Sequence, residues 1–474
     1  PRLPTRVPGL DLVLGGGLIA GDAYLVAGAA GTGKTTLGNQ LAFAHAAAGG
    51  RALVATLLTE THDRMLAHLR GFGFADPALV GGRLLYLSLL GPLQEGGPEA
   101  VLRALVAALR DHGAGLLVVD GAGATETFAP PGFDVARFVH ALQARAALAG
   151  CTAVLLSGER EAAAALAHVD GVIELANEPA GSRDARWLRV AKLRGSDYLN
   201  GRHRFAIGAD GVAVFPRLEA ALSALTPRWR GPAEPVAFGV PGLDAMLAGG
   251  LAAGTSTLLL GTPGAGKTLL GLQFLAEGAR QGEPGLLAGF EETGPALAAT
   301  ADEVGIPFGP HLASGLMRVL WRAPLELAPD EWAWQLLAAV DEHRPRRLVV
   351  DAFTDVGRLF DDPKRQAPFA QALTNALRDR GVTALVLLEI DTFAGPRLAA
   401  PVPTVSAAMD GGILLRTVEL RSSLRRVVSV LKHRRSPADP TMREVTIGPE
   451  GIAVGEPFDD AVGLLTGTAG PTPG

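Results

Sequence analysis

One cysteine, Cys151, stands in 474 residues. A lone cysteine excludes an intrachain disulfide and fits a reducing compartment. Its place, just ahead of the apolar run TAVLL, suits a small buried residue. Long apolar runs are also missing. None reaches the ~18 residues that a membrane-spanning helix needs. The opening PRLPTRVPGLD has no apolar signal core, so no export signal is expected and a cytoplasmic protein is. It also lacks a methionine, so the numbering is expected to start inside a gene product. Positive charge is in slight deficit, with a net charge of −5 and a pI near 6.1. That balance argues against a generally basic nucleic-acid binder, though a local basic channel in an assembly is compatible with it. Lysine is scarce: 38 of the 43 basic residues are arginine, and the lysines are Lys34, Lys192, Lys267, Lys364 and Lys432. Where only surface charge is wanted this chain uses arginine, so each lysine is a suspect for a task that needs a compact ammonium.

Two of those lysines sit in one motif that occurs twice. Residues 28–35 read GAAGTGKT and residues 261–268 read GTPGAGKT, both fitting the phosphate-loop pattern G-x-x-x-x-G-K-[ST]. Each follows a short apolar run, AYLVA or STLLL, that reads as a buried strand. Each precedes a helix-like stretch, TLGNQLAFAHAA or LLGLQFLAEGAR. This is the context that the motif requires. Gly28, Gly31, Thr32 and Gly33, with Gly261, Gly264, Ala265 and Gly266, would curl the backbone so that successive N–H groups face a phosphate. Thr36 and Leu269 would add N–H groups at the helix start. Lys34 and Lys267 would reach the β/γ-phosphates, and Thr35 and Thr268 would offer hydroxyls to Mg²⁺. The expected ligands are ATP and Mg²⁺.

The whole chain is a duplication. VPGLDLVLGGGL from residue 7 matches VPGLDAMLAGGL from residue 240, and the offset between matched positions is 233 for both Asp11/Asp244 and Lys34/Lys267. So long a period means two domains, not a solenoid. Within each copy, apolar strands alternate with amphipathic helices, which describes a mostly parallel sheet covered on both faces. Shorter, more polar strand pairs close each copy, and the turns GADG and GPEG predict antiparallel hairpins at the sheet edge. The expected domains are residues 1–218 and 236–462. A proline-rich linker (219–235) joins them, and a disordered tail (463–474) follows.

Further candidates come from strand ends. Asp120 and Asp351 close apolar strands, GLLVVD and RLVVD. There an acid can hold Mg²⁺ opposite the loop threonine; the plainer alternative is a carboxylate capping a helix. Glu291 and Glu292 end another strand, as Glu60 does in the first copy with Thr59 in place of its partner. These acids are candidates for orienting or deprotonating the attacking water, against the alternative of a solvated acidic turn. Lys192 and Arg194, and likewise Lys432 and Arg434, are spaced to share one side of an edge strand. Far along the chain from their own loops, they are read as reaching a neighbour's site in trans; ordinary edge protection by charge is the alternative. Trp332 and Trp334 read as packing residues of their helix.

These motifs together resemble KaiC-like proteins, double-domain ATPases of the RecA superfamily that include the circadian clock ATPase. The resemblance covers nearly the whole chain through the two loops, the FEET string at 290–293, Asp120, Asp351 and KLRGS at 192–196. It implies an α/β fold of two tandem RecA-like P-loop domains with antiparallel edge strands. It implies a two-tier homohexameric ring with nucleotide between protomers, and regulatory protein partners. It also implies that Glu291, and by weaker match Glu60, assist water attack, and that the four cations touch the neighbour's ATP. Departures from the family pattern are Thr59–Glu60 in place of paired glutamates, and Arg435 in place of glycine. In TVSAAMDGG, Ser406 matches one phospho-acceptor and Ala407 stands at the other. Single-site autophosphorylation stays open, with Ser406 as a plain loop residue the preferred expectation. Two competing readings are a DNA-directed motor and a low-turnover nucleotide-gated scaffold. The first is disfavoured by the mixed or acidic stretches after the Asp strands. Both pockets are expected to bind ATP·Mg²⁺, the first biased toward binding and assembly and the second toward hydrolysis.

Overall fold

The computed structural model describes all residues except 58–61, 122–134, 159–167, 181–182, 227–233, 324–326, 391–404, 421–422, 435–437, 458–460, 463–469 and 472–474. The chain divides into two compact units, Pro1–Ala221 and Leu222–Gly474. Each is an α/β domain built on one nine-stranded sheet.

In the first unit the elements that place the site are β1 (Ala23–Ala27), α1 (Lys34–Ala47), β2 (Ala52–Thr56), β3 (Leu84–Ser88), α2 (Leu90–His112), β4 (Leu116–Asp120), α3 (Val135–Leu148) and β5 (Thr152–Ser157). They are followed by β6 (Gly171–Ala180), β7 (Arg183–Leu193), β8 (Arg202–Gly208) and β9 (Gly211–Phe215). The sheet order is β9-β8-β7-β6-β1-β5-β4-β2-β3. The strands from β6 to β3 in that order run parallel, and β7, β8 and β9 add on antiparallel.

The second unit repeats the plan. Its elements are β10 (Ser256–Gly261), α4 (Lys267–Arg280), β11 (Gly285–Gly289), β12 (Met317–Trp321), α5 (Pro329–His343), β13 (Arg347–Asp351), α6 (Gln366–Asp379), β14 (Thr383–Glu389), β15 (Gly411–Leu420), β16 (Ser423–His433), β17 (Arg443–Gly448) and β18 (Gly451–Pro457). The order is β12-β11-β13-β14-β10-β15-β16-β17-β18. The loop strand is central in both sheets, and the Asp strand lies two places away.

The reason for this burial is the period of two. Along β1, Tyr24 and Val26 join the core on one face, while Ala23, Leu25 and Ala27 join the core on the other. All five residues are buried, as a parallel sheet covered by helices on both sides requires. Cys151 is fully buried, and burial pushes its thiol up to about 12, so it is an inert core residue. Trp332 is likewise fully buried, its ring centroid 5.9 Å from that of Phe290. The hairpin turns close as the sequence predicts, with Gly208 paired to Gly211 and Gly448 to Gly451.

The structure adds two strands that sequence patterning does not reveal, the edge strands β3 and β12. Ser406 lies in a helical turn, Val405–Ala408, and not in a loop. The expected linker begins in the helical turn Leu218–Ala221, and its residues 227–233 lie outside the described residues. Most of the expected tail does too, apart from Gly470–Pro471, which pairs with Ala461–Val462. No helix among the described residues is long and apolar enough to cross a membrane.

Candidate active site

Both phosphate loops join the C-terminal end of a central parallel strand to the N-terminus of a long helix, at the crevice where open α/β sheets bind ligands. Gly33 and Gly266 precede the helices with φ of 102° and 101°, a left-handed conformation that L side chains rarely adopt. The first glycine is fixed differently. A Cβ on Gly28 would lie 2.4 Å from the Leu175 carbonyl oxygen, and one on Gly261 2.5 Å from that of Leu415, so the neighbouring strand leaves no room for a side chain. At Gly31 and Gly264 a Cβ would meet nothing within 4 Å, so the outer curve of each loop is open. Neither helix start carries a side-chain cap, which leaves its first N–H groups for an anion. Thr32 is buried, its hydroxyl donating to Ala29 O at 2.9 Å, and Ala265 is fully buried. Thr36 and Leu269 are half-buried in the first helical turn.

The lysines fold over their loops. Lys34 Nζ donates to the carbonyls of Gly28 and Ala29, both at 2.7 Å. Lys267 Nζ donates to Gly261 O at 3.1 Å and Thr262 O at 3.0 Å. Burial is the main influence lowering the Lys267 pKa; Glu389 opposes it most strongly, then Asp351 and Glu291. The threonine and aspartate that the sequence singles out meet in both units: Thr35 Oγ1 donates to Asp120 Oδ2 at 2.7 Å, and Thr268 Oγ1 to Asp351 Oδ2 at 2.7 Å. One hydroxyl and one carboxylate beside a phosphate loop fit Mg²⁺, which keeps most of its waters.

Asp351 is strongly perturbed. Burial raises its carboxyl from 3.8 to about 6; the Thr268 hydrogen bond lowers it, Glu291 raises it, Lys267 lowers it and Glu292 raises it. A folded pKa above the unfolded one means that the contribution to stability is fully present below pH 3.8 and is lost as the pH rises through about 6. Asp351→Asn, which still accepts from Thr268, is therefore expected to raise the melting temperature by a few degrees at pH 7.5 without added metal, and to change it little at pH 4. Circular-dichroism melts at both pH values check this, and equal shifts at both would refute it.

Glu291 is exposed and Glu292 half-buried, just past β11, whose last residue Gly289 pairs in register with Asp351. Glu60 and Thr59 lie outside the described residues, as does Arg435.

The four cations lie at strand ends. Arg194 and Arg434 each follow the last residue of their strand, Leu193 or His433, and their backbone N–H groups donate to the carbonyls of Asp170 at 2.9 Å and Asp410 at 3.2 Å. A bulge inserts Ala191 between the pairs Val172–Lys192 and Ile173–Val190. Leu431 is inserted likewise between Gly412–Lys432 and Ile413–Val430. Each bulge lies just before the lysine, so it turns Lys192 and Lys432 relative to the strand behind them and leaves the lysine–arginine spacing itself unbroken. The cations gather beside a structural aspartate at the base of the sheet. Asp170 accepts from Ala23 N at 3.1 Å and lies 3.6 Å from Arg194 Nη1. Asp410 accepts from Ser256 N at 3.1 Å, while its backbone carbonyl accepts from Arg434 N at 3.2 Å. Lys192 and Lys432 both have lowered pKa values, from burial first and the adjacent arginine second. Each cluster sits at the end of its sheet opposite its own phosphate loop.

Sequence reasoning missed two residues. Arg186, on β7, donates to Gly31 O at 3.1 Å from its own chain. Glu389, the last residue of β14, places Oε2 3.5 Å from Lys267 Nζ. Nothing in the spacing links either residue to a loop more than a hundred positions away; only the sheet order does.

Two nine-stranded sheets, each with a central strand, phosphate loop and helix and a strand-end aspartate two strands away, define tandem RecA-like P-loop domains. The family model for the KaiC ATPase matches residues 3–219 and again residues 236–458. The chain belongs to the KaiC family of P-loop ATPases. Among its relatives, the circadian clock oscillator protein KaiC of Picosynechococcus sp. is 27% identical over 98% of this chain and 92% of its own length. Two proteins of Synechocystis sp. are similar to the same extent. The circadian clock oscillator protein KaiC 1 is 26% identical over 98% of this chain and 91% of its own, and the circadian clock protein KaiC3 is 27% identical over 98% and 94%.

Proposed function

We propose that this chain is an ATP-hydrolysing KaiC-type protein that assembles into a two-tier homohexameric ring and couples nucleotide state to a signal read by protein partners. The observation that carries this reading is the pairing, in both units, of a lysine-bearing phosphate loop with a Thr–Asp hydrogen bond of 2.7 Å. Residues 1–218 and 236–462 act as the two ATPase domains, joined through 219–235. Gly28, Gly31, Thr32, Gly33, Lys34 and Thr36 would hold the phosphates in the first. Gly261, Gly264, Ala265, Gly266, Lys267 and Leu269 would do so in the second, largely through backbone N–H groups. Thr35 with Asp120, and Thr268 with Asp351, would hold Mg²⁺, which supplies charge neutralisation at the phosphates. Glu291 is the water-orienting base of the second domain; Glu60 is the weaker candidate in the first. Lys192, Arg194, Lys432 and Arg434 serve the site of the adjacent chain. Autokinase activity enters this reading only through Ser406, exposed on its short helix. A cytoplasmic setting accords with the same reading, and nucleic acid is not assigned as a partner.

The cations at the base of each sheet make assembly testable. Light scattering with ATP·Mg²⁺ is expected to give the mass of six chains, and a smaller species after nucleotide removal. A monomer in the presence of ATP·Mg²⁺ would reject both the ring and the trans assignment.

A further inference from the structure

Glu389 has no part in the reading above. It closes β14 and pairs in register with Gly261, the first residue of the second phosphate loop. Its carboxylate lies 3.5 Å from Lys267 Nζ, with the lysine side chain 7% exposed and the glutamate 38%. Two of the three ammonium hydrogens are engaged by the carbonyls of Gly261 and Thr262. A buried ammonium needs a compensating anion, and Glu389 is the largest of the charges that offset its burial. The metal-side acid, Asp351, is taken up by the Thr268 hydroxyl, and Glu291 lies beyond a different strand. In the first unit Ala27 pairs with Ser157 as Leu260 pairs with Leu388, so the register position of Glu389 is held there by Gly158. Only the second unit has an acid at this position.

We propose that Glu389 is a built-in competitor of phosphate for Lys267, and that it sets the nucleotide affinity of the second phosphate loop. The proposal rests on the reading that this loop binds a nucleoside triphosphate. A phosphate that engages Lys267 takes the ammonium away from the carboxylate and brings two like charges close together. Glu389 is exposed enough to swing toward solvent, so nucleotide entry is weakened and not blocked. The opposite possibility is that Glu389 positions Lys267 for phosphate, in which case its loss would weaken binding. The two roles differ in sign.

Equilibrium binding of Mg·ATPγS to the full chain separates them. Lys267→Ala is expected to remove one of two binding components and so to identify the second loop. Glu389→Gln is expected to tighten that component alone by about five- to tenfold, the scale of one partly buried ion pair. Glu389→Asp keeps the charge and is expected to stay near the wild type. Unchanged or weaker binding in Glu389→Gln overturns the proposal, as does equal tightening by Asp and Gln, which would trace the effect to packing. If Lys267→Ala removes no component, the nucleotide reading of this loop falls instead.

Discussion

Glu291→Gln is expected to lower steady-state ATP turnover by about 10²- to 10³-fold while leaving ATP·Mg²⁺ binding within a few-fold of the wild type, the signature of a lost general base. The adjacent Glu292 is the natural rival, and electrostatics separates the two. Glu291 raises the Asp351 carboxyl more than Glu292 does, and it is also the glutamate of the pair that acts on Lys267. It is thus nearer in effect to the groups that would surround the γ-phosphate. Phe290, buried against Trp332, anchors the turn from which Glu291 projects, so the acid is exposed but its backbone is fixed. Glu292→Gln is expected to cost less than about tenfold. Phosphate release and nucleotide binding, measured on both variants, decide between them. A larger loss in Glu292→Gln, or turnover unchanged in Glu291→Gln, would remove Glu291 from the role. Residual turnover in Glu291→Gln reports the first domain, and combining it with Glu60→Gln is expected to abolish that residue of activity.

The loops were legible in the sequence because their chemistry is local: the glycines, the lysine and the threonine act within eight consecutive residues. Asp120 and Asp351 were legible because a buried apolar strand that ends in an acid is conspicuous. What stayed hidden depends on contacts across the sheet. The strand Leu84–Ser88 sits in the stretch LLYLSLL, where Ser88 is the one polar break before the next helix begins at Leu90. The bulges at Ala191 and Leu431 are one-residue insertions with no composition of their own. Glu389 looks like any acid at a strand terminus until the order β14-β10-β15 sets it beside the loop of β10.

Arg434→Ala is expected to lower turnover by about 10²-fold or more, as removal of an arginine that stabilises transferring phosphoryl charge does. The second loop of its own unit is out of its reach. Arg434 is tied through its backbone to Asp410, whose side chain receives the N–H of Ser256 at the start of β10. The loop begins at Gly261, about 16 Å farther along at the usual strand rise, beyond the span of one arginine side chain. Mixing therefore tests direction. Lys267→Ala chains keep their cations but lack a working second loop; Arg434→Ala chains keep the loop but lack a cation. In a head-to-tail ring of equal parts, about one interface in four joins an intact loop to an intact cation cluster, so roughly a quarter of second-domain turnover is expected to return. Each variant alone should stay inactive in that domain. Rings of full mass that recover nothing on mixing would show that Arg434 does not act on a neighbour's nucleotide, and the cluster beside Asp410 would then be a structural one that holds the start of β10.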